Sequence, residues 1–253
     1  MALVHDPDIV VLDEPEAGMP APSDLLLSAG KEIRDFLLDF DHVNVTDARG
    51  KLGTRGKRVE ITGRYSGDTG VAIEKTLAVE VYDDFPNLAL TSVAYKNAGS
   101  EDLVLDKVVA QQHRFSASLS DPKAPPYRLW SFQGSSYGWG KDDVVQISKI
   151  FSHPNVMGAI VGQGHGGGIP VVAFWTASVG EAIGHLETLP LILSMPVSVA
   201  ADGRVSASLT IDAKRTMKPG EVYSTPRSFV AVYSGDFYEP LSLSPRALQR
   251  DGW

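Results

Sequence analysis

The sequence predicts an all-β fold in which two antiparallel sheets pack face to face, followed by one short C-terminal helix. Three observations carry this. Apolar and polar residues alternate with a period of two through most of the chain, as half-buried strands require. Gly, Pro, Asn and Asp clusters separate the alternating runs at short intervals. No helical pattern lies between the runs, so the parallel sheet of a βαβ protein is excluded.

Taken in order, residues 1–23 read as an arm laid over the body, because Glu14-Pro15 and Met19-Pro20-Ala21-Pro22 cannot sit in a central strand. The run Ile9-Val10-Val11-Leu12 within the arm has the form of one added edge strand. Residues 58–65 place Val59, Ile61 and Tyr65 on one face and Arg58, Glu60, Thr62 and Arg64 on the other. Residues 71–81 put Val71, Ile73, Leu77, Val79 and Val81 on one side, and a turn at 83–87 leads into a strand over 88–95. Further strands are predicted at 103–109, 129–132, 144–151, 156–161, 169–175, 181–185, 191–199, 204–212 and 222–232. A helix is predicted over 238–249, where Glu239-Pro240 starts it, Leu241, Leu243, Ala247 and Leu248 give it an apolar side, and Gly252 stops it. The expected organisation is therefore an arm (1–23), a sandwich (24–237) and a helical linker (238–253).

At 253 residues, 43% hydrophobic and 21% charged, the chain can bury a sizeable core as one β domain. Its 23 basic residues are scattered among 31 acidic ones, so no stripe is available to neutralise phosphates, and nucleic acid is not an expected partner. Its longest apolar runs are interrupted by proline, as at Pro190 and Pro196, and are too short to span a bilayer, so no membrane association is expected. The N-terminus lacks a basic region before its apolar stretch, which favours the cytoplasm unless a signal has been removed. With no cysteine there are neither disulfides nor thiolate sites. None of the six histidines has a second histidine at ligand spacing, and His185-Leu186-Glu187 lacks an evident third ligand, so neither metal nor cofactor is expected.

Two motifs suggest chemistry and fail on context. Gly162-Gln163-Gly164-His165-Gly166-Gly167 has the spacing of a dinucleotide loop, but the residues after it read as a strand, and a pyrophosphate needs a helix N-terminus. Gly134-Ser135-Ser136-Tyr137-Gly138 has the form of a nucleophile elbow, and His165-Gly166-Gly167-Gly168 that of an oxyanion loop. An elbow requires a strand-to-helix turn, and the oxyanion loop should precede it in the chain. The glycines after His165 read either as a backbone surface open to close approach or as a bulge at a sheet corner.

Residues 130–143 combine aromatics, small residues and carboxylates in a long loop. Sugar sites use this mixture: aromatic faces stack on pyranose C–H groups while carboxylates accept hydroxyl hydrogen bonds. Tyr137, Trp139, Asp142 and Asp143 are the candidate sugar-binding residues, with His165 beside them. The alternative reading makes Trp130 and Phe132 core residues and Asp142-Asp143 a solvated turn.

The segments GHGGGIPVVAFW, VGEAIGHLETLPLILSMPVSV and RSFVAVYSGDFYEPLSLSPRALQRDGW follow one another in an order that resembles the α-galactosidase-like glycoside hydrolases of clan D. Gly235, Asp236, Tyr238, Pro240, Leu241, Leu248 and Gly252 occupy the places of a pattern that in that family closes an N-terminal β-supersandwich and leads into a (β/α)8 barrel. The stretch EKTLAVEVYDDFPNLALTSVAYKNAGSEDLVLDKV is similar to the family's paired strands, so the likeness covers 59–253; the first fifty residues match no pattern. The resemblance implies a galactose mutarotase-like supersandwich without catalytic residues of its own. The family's two catalytic aspartates, nucleophile and acid/base of a retaining mechanism, reside in the barrel. It further implies a barrel in cis or in trans and a galactoside-type carbohydrate as partners, with self-association into a homo-oligomer as an added role. Tyr137, Trp139, Asp142, Asp143 and His165 would then be sugar-binding or barrel-facing. Two other readings stay open: a free-standing carbohydrate-binding module, and a mutarotase-type enzyme drawing its acid and base from His113, His165, His185 and Glu187.

Overall fold

The computed structural model describes residues 24–67, 70–135, 143–157, 168–186 and 193–252. Within them the chain forms two antiparallel sheets and one α-helix. The larger sheet has eleven strands among the described residues. Its main path runs Val144–Gln146, Trp130–Phe132, Val171–Trp175, Gly180–His185, Ser228–Tyr233, Phe85–Asn97, Ala72–Tyr82, Gly56–Ser66 and Leu37–Leu38. Val222–Ser224 adds to Phe85–Asn97, and Asn44–Asp47 adds to Gly56–Ser66. The smaller sheet has eight strands, centred on the long pair Leu103–Phe115 and Val205–Met217. Leu25–Ser28 and Lys31–Ile33 close one side of it as a hairpin, whose turn residues Ala29 and Gly30 both have positive φ.

Alternation places the core. From the larger sheet Val172, Phe174, Ile183 and Val230 face Ala110, Phe115, Ala207 and Leu209 of the smaller one. Towards the other end Leu26, Leu105, Val108 and Met217 meet Ile73, Val93 and Tyr95. The larger sheet is also covered on its second face, where Val171, Ala173, Trp175, Ala182, Phe229 and Ala231 lie under the C-terminal helix. This is why all five residues of Val171–Trp175 are buried and its sequence is continuously apolar. Gly184 fits the same crowding, since a Cβ there would lie 2.3 Å from the Pro170 carbonyl oxygen.

Among the described residues the expected strands are present, with departures that have physical causes; the edge strand expected at 9–12, residues 158–161 of the 156–161 strand and residues 191–192 lie outside the described residues. The 191–199 run is split at Pro196 into Leu193–Ser194 and Val197–Val199, and the 222–232 run at Pro226 into Val222–Ser224 and Ser228–Tyr233. Proline supplies no N–H to a ladder. The 144–151 stretch is not one strand: Val144–Gln146 ends in the larger sheet, and the chain crosses to pair Ser152–His153 in the smaller. On Ala72–Tyr82 the expected apolar face is only partly buried, and burial shifts to Ala78 and Tyr82 on its opposite side. The side chain of Tyr82 belongs to the packing under the helix, reaching the Gly50 amide. Lys75 shares the face of Ile73 and is 4% exposed.

Helix α1 (Tyr238–Asp251) is docked on the larger sheet, with Pro240, Ser244 and Ala247 buried and Leu241, Leu243 and Leu248 packed against the sheet's outer face. Gly252, at φ 109°, ends it by donating its amide to the Gln249 and Leu248 carbonyls. The C-terminal turn is fastened at three points. Arg227 donates to both carboxylate oxygens of Asp251 and to the Leu186 carbonyl. Lys51 donates to the Asp251 carbonyl, and Arg250 to Asp84. No helix among the described residues is long and apolar enough to cross a membrane.

The hydrogen bond from Arg227 holds the Asp251 carboxyl below its ordinary value of 3.8. A carboxylate whose folded pKa is depressed contributes stability that is present above its unfolded value and lost as pH falls through the folded one. Amides of the last turn of α1 should therefore exchange faster as pH is lowered below about 3.8, once the intrinsic pH dependence of exchange is divided out. In Arg227→Met that acid-dependent step should be absent.

Candidate functional site

Tyr137, Trp139, Asp142 and His165 lie outside the described residues; Asp143 lies within them. What the structure does place is the described chain on either side of residues 136–142 and 158–167. These feet converge. Phe132 pairs with Val144 at the root of the first segment, and the Gln133 amide donates to the Asp143 carbonyl at 2.7 Å. The Ile169 amide donates to the Gly134 carbonyl at 2.9 Å, joining the return of the second segment to the start of the first.

A buried chain of side-chain hydrogen bonds holds this junction. Ser131 Oγ donates to the Ala173 carbonyl, and Gln133 Nε2 donates to Ser131 Oγ at 2.6 Å. Asn155 Nδ2 donates to Gln133 Oε1 at 2.6 Å, while the Ser135 amide donates to Asn155 Oδ1 at 3.2 Å. Asn155 is fully buried, with its backbone at φ 42°, a conformation asparagine tolerates better than most residues. Its carbonyl accepts the Met195 amide, so the feet of 136–142, 158–167 and 187–192 share one polar anchor. Such a network fixes loop roots because each member left alone would be a buried unsatisfied group.

Asn155→Ala is therefore expected to lower stability by about 1–3 kcal/mol, the penalty for leaving Gln133 Oε1 or the Ser135 amide unpaired. It should also raise hydrogen exchange at the Ser135 and Ile169 amides while leaving the strand centres protected. Uniform exchange over the whole sheet would contradict a local anchoring role.

Beside the junction, aromatic rings run from the sheet onto the first turn of α1. Phe237 stacks on Phe132 with centroids 5.6 Å apart, lies 5.8 Å from Trp175 and stacks on Tyr238 at 4.3 Å. Tyr238 is 68% exposed, and Trp130, opposite Trp175 in the sheet, is 46% exposed. Phe132 is thus a core residue, while Trp130 keeps a free face. This ledge can receive an apolar surface or the C–H face of a sugar.

The other candidates divide. His185 is buried on Gly180–His185, where its amide donates to the Pro170 carbonyl, and Glu187 lies outside the described residues. His113 points between the sheets, with Nε2 hydrogen-bonded to Gln111 Oε1 and its ring stacked against Phe115; burial pushes it down to about 4. It is neutral at neutral pH and tied to the core. Gln111 in turn donates to the Phe229 carbonyl of the opposite sheet, a structural use of both residues. Among the described residues no group of three His, Asp or Glu side chains is placed to hold a metal ion.

Gln133 and Asn155 escaped the sequence reading. The available signal was weak: two amide side chains flanking glycine- and proline-marked loops, separated by 22 residues.

No protein-family model matches the chain, and no curated protein matches it. Solved structures do match in fold. A GH36 α-galactosidase from Geobacillus stearothermophilus aligns over 85% of this chain at a TM-score of 0.54 and 16% identity. An α-galactosidase from Lactobacillus brevis aligns over 86% at 0.58 and 14% identity. An α-N-acetylgalactosaminidase from Bifidobacterium bifidum aligns over 90% at 0.58 and 10% identity. This chain spans 30%, 29% and 33% of those three chains. Identities this low establish a common fold.

Proposed function

We propose that the chain is the non-catalytic sandwich portion of an α-galactosidase-like glycoside hydrolase, bracing a catalytic barrel and shaping its sugar entrance. The observation that carries this reading is the pattern of coverage: the fold likeness takes in 85–90% of this chain but about three-tenths of each neighbour. Hydrolysis then belongs to carboxylates in the rest of the parent enzyme, supplied in cis or in trans. Helix α1 suits a bracing role because its last turn is pinned by Arg227, Lys51 and Arg250, giving a following domain a fixed point of departure. On this reading Tyr137, Trp139, Asp142, Asp143 and His165 are sugar-binding or barrel-facing residues.

A second reading, a free-standing carbohydrate-binding module, is favoured by the exposed faces of Trp130 and Tyr238. Calorimetric titration of the isolated chain with methyl α-galactoside and raffinose separates the two. The bracing reading expects no heat at millimolar sugar. A saturable heat that disappears in Trp130→Ala would favour the module. The nucleotide sequence beyond the Trp253 codon is the complementary test, with a continuing frame of alternating strand and helix patterns as the expected result.

A further inference from the structure

Apart from the loop junction, the described residues hold one fully enclosed cluster of reactive groups. Asp24, at the entry to Leu25–Ser28, is 1% exposed; Lys75 is 4% exposed and Tyr95 is fully buried. Lys75 and Tyr95 are direct cross-strand partners in the larger sheet, and Asp24 enters from the smaller one. Lys75 Nζ contacts Asp24 Oδ1, and Tyr95 Oη donates to Asp24 Oδ2 at 2.5 Å. The Phe36 ring covers the ammonium at 5.2 Å, and Leu26, Ile33, Ile73, Val93 and Leu105 belong to the same buried cluster as Tyr95.

We infer that Lys75 and Asp24 are a site of intramolecular amide formation, joining the first strand of the smaller sheet to the larger sheet by an isopeptide bond. The energetic argument has two parts. Holding an ammonium and a carboxylate away from water carries a penalty of several kcal/mol per ion, which an amide does not incur. Fixed contact replaces a bimolecular encounter, an advantage equivalent to effective concentrations of roughly 10⁵–10⁸ M. Together they oppose the preference of free amines and carboxylates for their ions in water.

The step balances without a co-reactant. One Nζ proton passes to Asp24 Oδ1, giving a neutral amine and a carboxylic acid. The amine lone pair attacks Cγ, and negative charge develops on Oδ2, where Tyr95 already donates a hydrogen bond. A second Nζ proton passes to the Oδ1 hydroxyl, which leaves as water. The Nζ–Cγ bond has formed and the Cγ–Oδ1 bond has broken, with the third Nζ proton remaining on the amide. Tyr95 stays protonated throughout, in keeping with a phenol that burial and the Asp24 charge hold well above its ordinary range.

Intact-mass measurement of the denatured full chain tests this directly. The expected mass is one water below that of the sequence, and proteolysis should yield one branched peptide joining the residue 24 and residue 75 segments. Lys75→Ala should show its full sequence mass, a result that does not depend on the variant folding. A full sequence mass for the unsubstituted protein overturns the inference. So does a water loss that maps to Asp202-Gly203 or Asp251-Gly252, where an aspartate can instead close on its own backbone.

Discussion

Lys75→Ala is expected to lower the free energy of unfolding by about 3–5 kcal/mol, a range common to losing one partner of a buried charge pair and to losing a covalent cross-link between residues 51 apart in the chain. The substitution removes the side chain that contacts Asp24 Oδ1 in a buried cluster, while the Tyr95 hydroxyl stays on Oδ2. It also empties the space under Phe36, so lost packing adds to lost charge. Urea denaturation followed by fluorescence reads the effect as a lowered midpoint, with an unchanged slope for a lost ion pair and a steeper one for a lost cross-link. A shift no larger than that of a substitution at exposed Lys214 would mean that the pair is not buried in solution.

Phe174→Ala should be comparably severe, at about 3–5 kcal/mol, for a different reason. Phe174 is 1% exposed and stacks on Phe115 across the gap between the sheets at 4.4 Å. Its strand is the most deeply enclosed in the larger sheet, packed by the smaller sheet on one face and by α1 on the other. With both sides occupied, the surrounding structure has little freedom to collapse into the space left by the ring. A loss below about 1.5 kcal/mol in the same denaturation assay, the level of a well-tolerated core exchange, would contradict this packing.

The two positions differ in how far the sequence announces them. Phe174 sits in Val171-Val172-Ala173-Phe174-Trp175, an unbroken apolar run that by itself calls for a strand covered on both faces. Lys75 is visible only as a break, one charge on the face that carries Ile73 and Leu77, because its partner is 51 residues earlier in the chain. Helix α1 was legible from end to end, since Pro240, the leucine spacing and Gly252 are local signals. The short edge strands Leu37–Leu38 and Asn44–Asp47 were not: each is too brief to show a period, and each exists only because Gly56–Ser66 offers it a ladder. At the candidate site the sequence gives the loop residues a composition and nothing more. The geometry that unites their roots resides in Gln133 and Asn155, whose hydrogen bond links residues far apart in the chain and has no local signature.

If this sandwich serves a hydrolase, the catalytic groups lie outside it, and activity should follow the native assembly and not the isolated chain. The chain would be tagged at its own locus and isolated from its native cells, and hydrolysis of p-nitrophenyl α-galactoside compared with that of the purified 253-residue protein. The isolated chain should be inactive, and the native material should carry α-galactosidase-type activity together with a barrel sequence, on the same polypeptide or on a partner. Turnover by the purified 253 residues alone, or native material that contains no barrel and hydrolyses no glycoside, would contradict it.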